Sequence, residues 1–193
     1  MLSEKLNFVL ALCAILISGA SFYATYLQAN SAERQVKAMT LPLIQFSHGN
    51  YDQENDETVI DFELKNAGIG PAIIKSVQIE HRGTVHNSLK DFFQACCKAE
   101  LEVYTAKRKA DKELDKNQEI GGWVSQPLIN IILPGQSDYQ FQSIKYGTET
   151  DELWTKLNKE RWDMNLNICY CSMLDDCFVT EKNGLFHEVR SCN

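Results

Sequence analysis

Between Leu6 and Leu27 the chain has no formally charged side chain over 22 residues, LNFVLALCAILISGASFYATYL. A helix of that length reaches about 33 Å, against a hydrocarbon core of about 30 Å. What the absence of charge leaves is a membrane span. Basic charge is also short: 19 Lys plus Arg stand against 26 Asp plus Glu, a net charge of -7. Nucleic acid and anionic headgroups need a basic face, so this deficit excludes them as main partners. No nucleophile elbow of the G-x-S-x-G type is present. Gly68-x-Gly70 lacks the third glycine and the following helix of a phosphate loop. The acids Asp52, Glu54, Asp56 and Glu57 lack the mid-loop glycine and the terminal glutamate of a calcium loop. The cysteines include no paired Cys-x-x-Cys knuckles of the structural-zinc type. These absences predict a protein without enzymatic activity, cofactor or bound metal.

The span is read as an uncleaved anchor over 6–27, after a flank of residues 1–5. Ser18-Gly19-Ala20 offers small residues for signal cleavage, but the apolar run continues through Phe22 to Leu27. Tyr23 and Tyr26 lie one turn apart at its far end, as an interfacial aromatic belt does. Cys13 follows Leu12 rather than the small residue a lipoprotein needs. Residues 28–40, QANSAERQVKAMT, contain no Gly or Pro and are expected to prolong the helix as a stalk, ended by Pro42. Lys5 and the N-terminal amine on one side balance Arg34 and Lys37 on the other, so flanking charge does not orient the span. The six cysteines beyond it, Cys96, Cys97, Cys169, Cys171, Cys177 and Cys192, favour an oxidising compartment. The expectation is a single-pass protein of a bacterial inner membrane with its domain on the periplasmic side.

About 150 residues remain, enough for one domain with a core. Strands are expected at 41–48, 58–66, 73–81, 123–133, 138–146, 164–172 and 177–180, with an edge strand near 185–189. Ile60, Phe62 and Leu64 alternate against Asp61, Glu63 and Lys65, the pattern of a half-buried antiparallel strand. Ile73, Val77 and Ile79 are assigned to one face of the next strand, and Tyr139, Phe141 and Ser143 to one face of a later one. Asn66, Gly68, Gly70 and Pro71 make the turn between the second and third strands. Residues 87–118 read as a helical insert that starts at Ser88 and carries Leu89, Phe92, Phe93, Cys96, Cys97, Val103 and Tyr104 at helical intervals. Its charged second half is expected to project, with Lys107/Asp111 and Lys109/Glu113 paired along the helix. A short helix is expected at 150–161.

The stretch LKNAGIGPAIIKSVQIEHRG resembles the N-x-G-x-GPA strand–turn–strand of small bacterial membrane-anchored proteins of unassigned function. LPGQ (133–136) and ICYCSMLDDCFVT (168–180) fit the same pattern. The resemblance implies one antiparallel, immunoglobulin-like β-sandwich over 41–193, decorated here by the helical insert.

Cys169, Cys171 and Cys177 form the most suggestive cluster. Residues two apart on a strand share a face, and a turn near Asp175 brings Cys177 opposite Cys171 or close to Cys169. Structural disulfides with Cys192, Cys96 or Cys97 compete there with buried free thiols and with a metal site. The vicinal pair Cys96-Cys97 reads as two residues of a packed helix, whose side chains diverge. His48, His81, His86 and His187 read as solvated or hairpin-end side chains. The functional expectation is a binding or scaffolding module of a membrane assembly, held in the bilayer through 6–27 and bound to another protein. A thiol-based or metal-binding sensor at Cys169, Cys171 and Cys177 is one alternative, and a pilin-like structural subunit is another.

Overall fold

The computed structural model describes residues 2–114, 123–181 and 184–192. It divides into two units, Met1–Met39 and Thr40–Asn193. The first unit is one helix, α1, which belongs to the unbroken element Leu2–Thr40. Its most apolar window has a mean hydropathy of 2.0 and none of it is buried, so it is long and apolar enough to cross a membrane. Leu6, Tyr23, Tyr26 and Leu27 are all exposed on it.

The second unit is built from two antiparallel sheets that share one core. The first sheet runs β1 (Ile44–Gly49), β2 (Val59–Asn66), β7 (Ser137–Lys145), β5 (Trp123–Ser125). The second runs β10 (Phe186–Val189), β9 (Cys177–Thr180), β8 (Met164–Cys171), β3 (Ala72–His81). On the far edge of β3 sit both β4 (Thr84–His86) and β6 (Ile131–Leu133). Ile60, Phe62 and Leu64 of β2 and Met164, Leu166, Ile168 and Tyr170 of β8 point into the shared core. Helices α2 (Leu89–Cys96), α3 (Lys98–Leu114) and α4 (Asp151–Glu160) pack on this body. The Ser88 hydroxyl caps α2 by accepting from the Asp91 N–H, satisfying a donor the helix start leaves open.

The structure corrects four expectations. The 123–133 strand is two strands in different sheets. Pro127 cannot donate to a ladder, and the chain changes sheets there, with Gln126 N–H held by Phe141 O and Asn130 N–H by Ile74 O. On β3 the core-facing residues are Ala72, Ile74, Val77 and Ile79, whereas Ile73 is only half-buried. The register slips between Ile74 and Ser76, and one extra residue in a strand inverts which side chains face inward. The same happens on β7. A bulge at Phe141 turns Gln142 and Ile144 inward instead of Ser143.

The fourth correction is the insert. It breaks at Cys97, whose φ of -141° and ψ of 31° are not helical. Its second helix packs back on the domain as far as Lys107, and the side chains of Asp111 and Glu113 lie outside the described residues. Tyr104 is buried against Trp123, and Lys107 bonds Asp151 Oδ1 at 2.9 Å, away from its own helix. Residues 115–118 of the expected insert lie outside the described residues.

Candidate functional site

The expected turn at Asn66 is a hydrogen-bonded junction. Asn66 is fully buried at the end of β2. Its Oδ1 accepts from Leu43 N–H at 3.1 Å and Gly68 N–H at 3.0 Å. Its Nδ2 donates to Gly70 O and Pro134 O, both at 2.9 Å, and more weakly to Leu133 O. A Cβ on Gly70 would overlap the Thr40 carbonyl, and one on Gly135 the Ile69 carbonyl. Glycine is required at both positions because backbone meets backbone there. Pro71 follows at the start of β3. These residues join three segments of the domain.

A groove of about 800 Å³ opens where the two sheets part. One wall is β1, the edge strand of its sheet. Leu43 O accepts from Ala67 N–H on the β2 side, while the Thr180 hydroxyl donates to Ile44 O from the opposite side. Backbone groups alternate in direction along an antiparallel edge. Those of Phe46 and His48 therefore face the groove, and they have no backbone partner on that side among the described residues.

The other wall comes from the end of α4. A 3₁₀ turn, Arg161–Asp163, follows that helix and leads directly into β8. It buries Arg161 and leaves Trp162 69% exposed at the rim. The Arg161 guanidinium lies 4.4 Å over the Trp162 ring and donates to Asn158 Oδ1 at 2.9 Å. It also donates to His48 Nδ1 at 2.6 Å. No carboxylate pairs with it among the described residues. Burial, and then the Arg161 charge, hold the His48 ring below its ordinary value of 6.5. The neutral ring accepts at Nδ1 and so keeps its proton on Nε2. The His48 and Trp162 rings meet edge-on at 5.2 Å.

Polar groups complete the lining. Asn165 Nδ2 is buried and has no hydrogen-bond partner among the described residues. Glu80 has no ion-pair partner among the described residues, and Glu181 has only a distant one in His187 at 3.9 Å. Arg82 is already engaged, with Glu160 at 3.0 Å and Asp163 at 2.8 Å.

No protein-family model, curated protein or solved structure matches this chain.

Beside the groove, Glu160 is buried and collects three donors: His81 Nε2 at 2.9 Å, Arg82 Nη2 at 3.0 Å and Lys156 Nζ at 2.9 Å. Burial works to raise its pKa. The bonds from Lys156 and His81, with the charges of Lys156 and Arg82, prevail and hold it below 4.5. His81, Glu160 and Asp163 lie close enough to share a cation, but Arg82 and Lys156 already neutralise these carboxylates. His81 is thus a buried partner of Glu160, packed edge-on against Phe92, and not a solvated side chain.

The cysteines pair as Cys96–Cys97, Cys169–Cys192 and Cys171–Cys177. The first pair corrects the reading of two diverging side chains: the residues are bonded where the insert breaks, so the helix that would separate them is absent. Cys171 and Cys177 stand opposite each other in the β8–β9 register. Cys13 is free and exposed on α1.

The reading of His48 as an ordinary solvated or hairpin-end side chain is corrected by its contacts with Arg161 and Trp162, and the sequence reading gave no role to Arg161, Trp162 or Asn165. The visible signal was Arg-Trp-Asp between an amphipathic helix and an alternating strand. Such a junction leaves a large aromatic outside both periodic patterns.

Proposed function

We propose that this chain is a membrane-anchored, non-enzymatic binding module and a subunit of a bacterial membrane or envelope assembly. In this reading residues 6–27 cross the bilayer and 28–40 form the stalk. An immunoglobulin-like β-sandwich then stands on the periplasmic side. The resemblance of the Asn66–Ala72 turn to that of small anchored proteins supports the same placement.

The observation that carries the reading is the open backbone edge of Phe46 and His48 above the groove. An extended segment of a partner protein adds to such an edge as a further strand, its main chain providing affinity and the pockets providing specificity. Glu80, which has no ion-pair partner among the described residues, favours a basic side chain on that segment. Asn165 Nδ2 awaits an acceptor, and Trp162 covers the apolar positions.

The test is fluorescence anisotropy with labelled peptides of alternating apolar and basic residues, titrated into the full chain in detergent. Binding is expected, and Trp162→Ala weakens it. N-methylating the alternate peptide residues that face β1 removes about two backbone bonds, a loss of about tenfold or more. Methylating the intervening residues leaves affinity unchanged. Equal loss from both methylation patterns, or no binding at all, would refute strand addition.

A further inference from the structure

Four sulfurs converge on the face of the second sheet that turns away from the core. Cys169 and Cys171 are two apart on β8 and share that face. Cys177 of β9 lies directly opposite Cys171, with a Cα separation of 4.0 Å. The C-terminal Cys192 reaches Cys169, with a Cα separation of 5.6 Å. The two disulfides are not independent neighbours: Cys171 Sγ and Cys192 Sγ, which are not bonded to each other, stand 3.8 Å apart. The Sγ atoms of Cys171, Cys177 and Cys192 all lie within 4.8 Å of one another.

Tetrahedral zinc with Zn–S bonds of about 2.3 Å has sulfur–sulfur edges of about 3.8 Å. One edge of that tetrahedron already exists between the two bridges. Three of the four residues are buried and Cys192 is half-buried, so the centre is shielded with one side open for entry. The ligands come from both arms of a hairpin and from the chain end. This explains why the linear spacing shows no Cys-x-x-Cys knuckle.

We propose that Cys169, Cys171, Cys177 and Cys192 form a zinc site when reduced, and that the cluster interconverts between two disulfides and one zinc tetrathiolate. The inference is independent of the groove. Two equivalents of a dithiol reductant deliver four electrons and four protons. Both S–S bonds break to give four thiols, and the reductant leaves as two disulfides. Zinc then displaces the four thiol protons and forms four Zn–S bonds. In the reverse direction, two equivalents of a disulfide oxidant reform both protein bridges, leave as four thiolates and set Zn²⁺ free. An oxidising compartment favours the bridged form, and a dithiol carrier shifts the cluster to the metal form.

The experiment uses the full chain in detergent, carrying Cys13→Ser, Cys96→Ser and Cys97→Ser so that only these four sulfurs remain. After anaerobic reduction, Co²⁺ is added as an optical probe and then Zn²⁺. The expected result is about one metal per chain, with thiolate charge-transfer and tetrahedral cobalt bands, displaced by Zn²⁺ and released on adding a disulfide oxidant. Cys192→Ser keeps the hairpin cysteines and is expected to lose the tetrathiolate spectrum. If reduction unfolds the domain, Zn²⁺ is expected to restore its β-sheet circular dichroism. Octahedral cobalt bands, sub-stoichiometric metal, or a reduced domain that zinc does not refold although the same variant folds with its two bridges intact, would each overturn the proposal.

Discussion

Replacing Asn66 by alanine tests whether one side chain holds the junction of β2, the 133–135 turn and the segment leading into β1. Asn66 is fully buried and accepts from two backbone N–H groups while donating to three carbonyls. Its two amide hydrogens serve those three carbonyls, so one is shared and the side chain counts as four full bonds. Each is worth about 1 kcal/mol net, and a backbone group left buried without a partner costs about 1–3 kcal/mol. Leu43 N–H and Pro134 O are only partly buried and recover water, which keeps the total near the lower bound. The expected loss is about 4 kcal/mol, a large part of the 5–15 kcal/mol that folds a typical domain. The midpoint of thermal unfolding should fall by about 10 °C.

Asn66→Asp separates hydrogen bonding from size. The carboxylate keeps the shape and the two N–H bonds on Oδ1, but full burial and the facing carbonyls of Gly70, Leu133 and Pro134 outweigh them and disfavour its charged form. Its folded pKa is raised, so the variant is most stable below the unfolded value of about 3.9 and loses stability as pH rises above it. Urea unfolding of the full chain in mild detergent, followed by tryptophan fluorescence, reads both variants. Asn66→Ala within about 1 kcal/mol of the parent, with an unchanged denaturant slope, would refute the reasoning.

Two further perturbations use buried polar groups. Gln142 is buried on the inner face of β7, and its Oε1 has no partner among the described residues. Gln142→Met is therefore expected to stabilise by about 1 kcal/mol, seen as a higher urea midpoint, and a lower midpoint would contradict it. Glu160 has a depressed folded pKa, so its stabilising contribution is complete above 4.5 and is lost as pH falls through the lower folded value. Glu160→Gln should cost about 2 kcal/mol at pH 7. The gap to the parent should shrink in denaturation curves taken below pH 4.5, and a gap independent of pH would show that Glu160 is not acting through its charge.

Periodicity makes the strands legible wherever the backbone is regular. Ile60, Phe62 and Leu64, and Met164, Leu166, Ile168 and Tyr170, are buried where alternation assigns them. Composition carries no mark of the bulges near Lys75 and Phe141, and each one reverses the faces beyond it. Pro127 was a visible breaker, but the apolar residues around it outweighed that signal. The groove was illegible for a different reason. Its groups come from an edge strand, a 3₁₀ turn and a hairpin end, and only the packing of two sheets brings these together. Asn66 could be recognised as a turn residue, yet its partners at 133 and 134 are too distant in the chain for a local pattern to show them.

The insert shows how a covalent bond can decide a conformation against local preference. Leu89, Phe92, Phe93, Cys96, Cys97, Val103 and Tyr104 fit one continuous helix. The bond between Cys96 and Cys97 closes a small ring through their shared peptide, and a helix would hold these side chains apart. Cys97 accordingly leaves the helical region while still donating to Phe93 O and accepting from Leu101 N–H. Both helices keep these end bonds across the break. Beyond the break α3 lies on the domain, with Tyr104 stacked on Trp123 and Lys107 bonded to Asp151 of α4. Helical spacing thus fixed which residues lie in α2 and α3, and the disulfide fixed the break that lets both helices pack.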